Sequence, residues 1–159
     1  MNMEFMNRIL IDTYAANSQS IRFWNAHGLQ SLPVRLKIPV LSGGVGIGKT
    51  ACAKAFSSDI GFNFINMDCS YEPSNNFAAR IHMGITEIEN GESKGTVILI
   101  DDIPSVKGSW LTILNQYVNG KFDFTVDLFD PETRQMISRL NQRSRVPEGL
   151  FIVGERRSE

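Results

Sequence analysis

The chain has two cysteines and two histidines among 159 residues, a formal net charge of −1 and no long apolar run, and each scarcity excludes a class of function. Cys52 and Cys69 cannot build a disulfide framework or a metal-ligand cluster, because neither has another Cys or His at ligand spacing. Both are expected to be reduced, partly buried small side chains. His27 and His82 are isolated, so no Ser-His-Asp or Cys-His constellation can be drawn from them. The near-neutral charge removes a general electrostatic attraction to nucleic acid or to an acidic membrane. The longest apolar stretches, such as Thr96 to Ile100, fall far short of the ~20 residues a membrane span needs, and no basic segment followed by an apolar signal core opens the chain. The expectation is a cytoplasmic protein with no membrane role.

What remains is ordinary globular composition, with 42% hydrophobic and 21% charged residues. A chain of this length buries about two thirds of its unfolded surface in one core, so disordered and low-complexity classes are excluded. The pattern divides into an N-terminal helical arm, 1–30, and a core, 31–159. In the arm, Met3 to Tyr14 and Ser18 to Ala26 read as two short helices. Phe5, Met6, Ile9 and Leu10 share one side of the first, Ile21, Phe23 and Trp24 fall in the second, and Gly28 is the stop. These apolar residues are expected to pack on the core.

From Leu36 onward, short apolar runs alternate with helical ones, the pattern of an α/β fold with a mainly parallel sheet and crossover helices. Strands are predicted at Ile38 to Leu41, Asn63 to Met67, Thr96 to Ile100 and Leu150 to Val153. Helices are predicted at Lys49 to Ser58, Asn75 to Glu89, Ser109 to Val118 and Pro131 to Asn141, the last capped by Asp130. Asn119-Gly120 ends the third helix or turns tightly into Phe122 to Val126.

Gly43-Gly44-Val45-Gly46-Ile47-Gly48-Lys49-Thr50 matches the eight-residue phosphate-loop pattern in its required context, between a strand and a helix. Its glycines let backbone N–H groups converge on an oxyanion, the helix N-terminus adds its dipole, Lys49 neutralises β and γ phosphates, and the Thr50 hydroxyl is suited to Mg²⁺. About fifty residues later, Thr96-Val97-Ile98-Leu99-Ile100-Asp101-Asp102 reads as a buried strand ending in two carboxylates. Asp101 is placed to hold Mg²⁺ through water, and Asp102 to orient or deprotonate the water that attacks the γ-phosphate. The competing reading is that both acids cap the turn Ile103-Pro104-Ser105.

The two motifs together resemble those of the AAA+ ATPases, from about Leu36 to the end of the chain. The segment Ile38 to Ala51 is similar to the MoxR-type and related branch. So is the progression from Ile100-Asp101-Asp102-Ile103-Pro104, through Leu114 to Lys121, to Val146 to Val153. The resemblance implies a three-layer P-loop NTPase core and ATP as the nucleotide, in keeping with the lack of an Asn-Lys-x-Asp guanine-reading motif. It implies nucleotide binding by Gly43, Gly44, Val45, Gly46, Ile47, Gly48, Lys49, Thr50 and Ala51, metal binding by Thr50 and Asp101, and catalysis by Lys49 and Asp102. It further implies hydrolysis of ATP that drives remodelling of a protein or nucleoprotein partner by a homo-oligomer. Most of the family has Glu at the position of Asp102, and an Asp-Asp pair occurs in the replication-initiator branch. The first sensor is usually Asn, Thr, Ser or Asp at the end of the fourth strand, where Glu155 is the nearest polar candidate here. Family members continue into an arginine finger and a helical lid, so a core truncated before both is expected.

Weaker signals have plainer readings. Arg139, Arg143, Arg145, Arg156 and Arg157 could meet a neighbour's γ-phosphate or a nucleic-acid backbone, but a solvated basic surface is the default. Phe122, Phe124 and Phe129 alternate with Asp123 and Asp127, which suits an exposed hairpin or a pore-facing insertion; the acidic neighbours argue against stacking on bases, and structural packing is the default. Asp68, just after the second strand, is where small-molecule kinases of the shikimate or nucleoside-monophosphate type place a substrate-binding acid, which keeps a kinase as an alternative. A non-hydrolysing ATP-dependent switch is the other. Sheet order separates the first two: the kinase reading pairs the Ile38 and Thr96 strands directly, whereas the AAA+ reading inserts the Leu150 strand between them.

Overall fold

A computed structural model describes residues 1–44 and 48–157. The chain runs α1 (Met3–His27), β1 (Val40–Ser42), α2 (Lys49–Asp59), β2 (Asn63–Asp68), α3 (Ser74–Glu89), β3 (Thr96–Asp101), α4 (Ser109–Asn119), β4 (Lys121–Phe129), β5 (Met136–Arg145) and β6 (Leu150–Arg156). A four-stranded parallel sheet has the order β1-β6-β3-β2, and β4 and β5 form a separate antiparallel hairpin. The strand of the two aspartates is thus separated from the phosphate-loop strand by β6, as the AAA+ reading requires and the kinase reading does not.

The central strands are buried on both faces, which fixes three layers. On one face Val97, Leu99, Phe151, Val153 and Leu41 pack with Met6 and Leu10 of α1 and Cys52, Ala53 and Phe56 of α2. On the other, Ile98, Ile100, Leu150 and Ile152 pack with Phe77, Ile81 and Ile85 of α3 and Ile113, Leu114 and Tyr117 of α4. Alternation along β3 and β6 sends neighbouring residues to opposite faces. The chain is an α/β protein with helices on both sides of a parallel sheet, preceded by the long helix α1.

Two expectations are corrected. The arm is one helix of 25 residues, because Ala15 and Ala16 carry the helix through the predicted gap and Asn17 is buried rather than ending it. Its carboxamide donates to the Lys37 carbonyl and accepts from the Lys37 N–H, both at 2.9 Å. Pro131 to Asn141 is not a helix: Met136 onward forms β5, with Asn141 paired to Thr125 and Arg139 to Asp127. Asp130 does cap, as Asx turns do, accepting from Glu132 N at 2.8 Å and Thr133 N at 3.1 Å. The chain then reverses, because Leu140 and Gln142 can be covered only in register with β4. Gly120 ends α4 with φ of 87°, and a Cβ there would lie 2.5 Å from Leu32.

The hairpin is held by two side-chain amides that imitate a neighbouring strand. Gln116 of α4 bonds both backbone groups of Asp123, at 2.8 and 3.0 Å. Asn75 of α3 does the same to Asp127, both at 2.9 Å. These four bonds close the outer edge of β4 at two points four residues apart and blunt it against further pairing. Asn75→Ala is expected to cost about 1–2 kcal/mol and to accelerate amide exchange at Asp127 while leaving β3 protected; thermal unfolding and residue-resolved hydrogen exchange check this.

Candidate functional site

The carboxyl ends of the parallel strands are where an open α/β sheet presents its ligand site. Here register sets the inventory: Leu41 of β1 lies beside Glu155 of β6, Gly154 of β6 beside Ile100 of β3, and Asp101 of β3 beside Asp68 of β2. Four carboxylates and a lysine therefore meet at one rim. A recess of about 240 Å³ is lined by Asp68, Ser70, Tyr71, Asp101, Asp102, Glu155 and Arg157.

Beside it begins α2, whose first turn holds Lys49 and Thr50. Gly48 precedes it in the left-handed region, at φ of 85°, and neither a side-chain cap nor an acidic residue occupies this helix start. An uncapped N-terminus of this kind presents N–H donors and positive dipole to an anion. Gly43 and Gly44 lead out of β1, Thr50 and Ala51 are exposed on the helix, and Val45, Gly46 and Ile47 lie outside the described residues.

Lys49 is buried at 5% exposure, and a buried ammonium requires partners. It donates to the Gly43 carbonyl and, at 3.4 Å, to the Arg156 carbonyl, and it pairs with Glu155 at 3.4 Å. Glu155 also lines the recess with Asp101 and raises its acid, so one carboxylate faces both the lysine and the aspartate that the sequence assigns to different functions. The sequence marked Glu155 only as the nearest polar residue at a strand end; its contact with Lys49 comes from the insertion of β6 between β1 and β3.

The two aspartates differ in kind. Asp102 is exposed and left-handed, with φ of 55° and ψ of 48°. Its carboxylate accepts from Ser105 Oγ at 2.6 Å and its carbonyl from Ser105 N at 2.8 Å, so the turn-capping reading describes Asp102 in this structure. For Asp101 it does not. One carboxylate oxygen of Asp101 is buried without a hydrogen-bond partner, an arrangement that normally costs stability. Burial, then Glu155 and Asp68, push its acid up to about 6, against a smaller opposing pull from Arg157.

That orphaned oxygen fits a cation. Among the described residues no three His, Cys, Asp or Glu side chains could hold a metal ion by themselves, and magnesium bound with nucleotide draws on only one or two protein ligands plus phosphate oxygens. Asp101 and the exposed Thr50 hydroxyl are the residues that would hold it.

The remaining candidates separate. Arg139 pairs with Asp127 at 2.6 Å and Arg143 with Asp123 at 3.6 Å across the hairpin, while Arg145 stacks 3.9 Å over Trp24. Arg157 reaches the acidic recess. Phe122 and Phe124 are buried under the hairpin and Phe129 is exposed at its tip. Asp68 accepts from Ser70 N at 2.9 Å at the edge of the recess. His82 Nδ1 lies 2.7 Å from Gln142, away from the site. Both cysteines are free, and burial raises both thiols. Ser70 and Tyr71, also at the recess, carry no sequence signal.

Because the fold disfavours the charged form of Asp101, Asp101→Asn is expected to stabilise the nucleotide-free protein, by about 2–4 °C for each kcal/mol relieved in a domain this size. Thermal unfolding without metal or nucleotide checks the sign; a lower midpoint would contradict it.

No curated protein matches the sequence. The profile of the ATPase family associated with various cellular activities (AAA) matches residues 39–122, which span β1, α2, β2, α3, β3, α4 and the start of β4. Among the described residues no helix is long and apolar enough to cross a membrane. With the phosphate-loop sequence at the end of β1, the two aspartates at the end of β3 and β6 between those strands, the chain belongs to the AAA ATPase family.

Proposed function

We propose that this chain binds ATP with Mg²⁺ and hydrolyses it to drive remodelling or assembly of a protein or nucleoprotein partner, as a homo-oligomer of the MoxR-type or a related branch. The observation that carries this reading is the convergence, at one sheet rim, of the uncapped α2 start, buried Lys49 and the unpartnered oxygen of Asp101. In this reading residues 31–159 are the nucleotide-binding core and 1–30 the arm that packs on it.

The roles follow from position. Backbone N–H groups of Gly43 to Ala51 and the α2 dipole bind the phosphates, and Lys49 leaves its present partners to neutralise them. Thr50 and Asp101 hold magnesium, which when bound supplies positive charge against the phosphate oxygens. Asp102 orients the attacking water and accepts its proton. Glu155, the nearest polar residue at the end of β6, is the candidate for the family's first sensor. A second reading, a switch that binds ATP with negligible turnover, is supported by Asp102 itself, one of whose carboxylate oxygens is engaged by Ser105 in the turn.

Thermal unfolding with Mg²⁺-ATP, Mg²⁺-GTP and ADP, followed by phosphate release on the same samples, separates these readings. Ligand at about 100 times its dissociation constant adds roughly 2.7 kcal/mol of stability. Lys49→Ala is expected to weaken nucleotide binding by about 10- to 100-fold, and Asp102→Asn to preserve binding while lowering phosphate release. Unchanged affinity in the lysine variant would remove the site assignment, and ATP binding without release in the parent chain would select the switch.

A further inference from the structure

We propose that the free edge of β2 is a pairing surface for a second copy of this chain, which joins the two parallel sheets antiparallel across a two-fold axis. The proposal goes beyond the nucleotide reading and does not depend on it.

Among the described residues four strand edges have no strand beside them, and the fold treats them differently. The β4 edge is closed by Asn75 and Gln116. The β5 edge carries Arg139, Arg143 and Arg145 and an irregular register near Phe129, and β1 is three residues long. Charge, bulges and shortness are how edges avoid pairing. The β2 edge has none of these: it runs six residues, Asn63–Asp68, with no proline, glycine or basic residue and in unbroken register with β3. Asn63 N donates inward to Gly95 O at 2.9 Å, so by alternation along a parallel strand Phe64, Asn66 and Asp68 turn their backbone groups outward. Asp68 N is taken by the Glu72 carboxylate at 2.9 Å. Phe64 and Asn66 keep their N–H and C=O groups facing away from the sheet.

A second copy satisfies these groups by symmetry. Antiparallel pairing centred on Ile65 sets Phe64 opposite Asn66 of the other copy and Asn66 opposite its Phe64, and each such pair exchanges both N–H···O bonds. The surface is then complementary to itself, as a two-fold contact requires. The helix that borders this edge has matching chemistry. Arg80, Met83 and Glu87 of α3 form one stripe, three or four residues apart, and with Phe64 and Ile65 they line a recess of about 330 Å³ beside β2. Arg80 and Met83 are exposed, and among the described residues neither Arg80 nor Glu87 has an ion-pair partner. The two-fold runs the α3 stripes antiparallel, which brings Arg80 of each copy toward Glu87 of the other with Met83 between them. A strand from an unrelated protein satisfies the backbone groups but not this pair of charges, which favours the second copy.

The test is analytical ultracentrifugation of the nucleotide-free parent chain up to about 100 μM, with residue-resolved hydrogen exchange on the same samples. A concentration-dependent dimer is expected, in which the Phe64 and Asn66 amides exchange more slowly as concentration rises. Asn66→Pro, which removes one outward N–H at an edge position that proline tolerates, is expected to weaken dimerisation by about tenfold. Glu87→Arg is expected to weaken it by about fivefold, and Arg80→Glu with Glu87→Arg to restore most of the loss. A parent that stays monomeric over this range, a dimer in which Phe64 and Asn66 exchange as fast as in the monomer, a dimer unaffected by a folded Asn66→Pro variant, or a double reversal no better than the single one would overturn the proposal. All of these are read without nucleotide, so they leave the nucleotide site standing. If thermal unfolding shows that Asn66→Pro does not fold, the charge reversals and the exchange of the parent decide.

Discussion

The site depends on one constraint, the insertion of β6 between β1 and β3. Parallel pairing in that order brings together three strand ends that the sequence keeps far apart: the start of the phosphate loop, Asp101 and Glu155. The backbone reinforces the junction, since Gly43 N donates to Arg156 O at 3.2 Å and Gly154 N to Pro39 O at 2.9 Å. Lys49 uses the same Arg156 carbonyl, so strand pairing and lysine placement share an acceptor. Gly154 also leaves room for Ile103, whose side chain would stand 2.7 Å from a Cβ there. The turn that follows the two aspartates therefore packs directly on the strand carrying Glu155.

Around this rim the fold tolerates unfavourable electrostatics that it avoids elsewhere. The hairpin pairs its acids with arginines or amides, and exposed pairs of this kind contribute little to stability. At the rim, Asp101 keeps a buried oxygen unpartnered while Glu155 and Asp68 raise its proton affinity. A stable apolar core on both sheet faces offsets that cost, and perturbed buried groups of this kind cluster at functional sites. Asp102, one residue on, is exposed and locally satisfied, which shows how sharply the role of a carboxylate depends on which side of the strand end it falls.

Much of this was legible in the sequence because it depends on local signals. Strands at Thr96 and Leu150 announce themselves by continuous apolar runs, that at Asn63 by a shorter run broken by Asn66, and the phosphate loop by spacing. The helix expected at Pro131 to Asn141 failed for a physical reason: Asp130 supplies a genuine cap, and Met136, Ile137 and Leu140 have helical spacing, but cross-strand pairing with β4 decides their conformation. No local pattern reports that the amides of Asn75 and Gln116 will close the edge of β4, or that Asn17 will bond Lys37 instead of breaking α1. The acid facing Lys49 and Asp101 was likewise visible only as a polar residue at a strand end, because its role arises from register among three strands.

The helix α1 shows how such long-range contacts reach the site. Met6 and Leu10 are fully buried in the core with Cys52 and Phe56, so the start of α1 lies along the start of α2. Met3 stands 2.9 Å from where a Cβ on Gly48 would be. The left-handed φ of residue 48 disfavours any side chain there, whereas the Met3 methyl is the far end of a flexible, half-exposed side chain that has room to move aside. Displacement of α1 would therefore be felt first at the N-terminus of α2, where Lys49 and Thr50 begin.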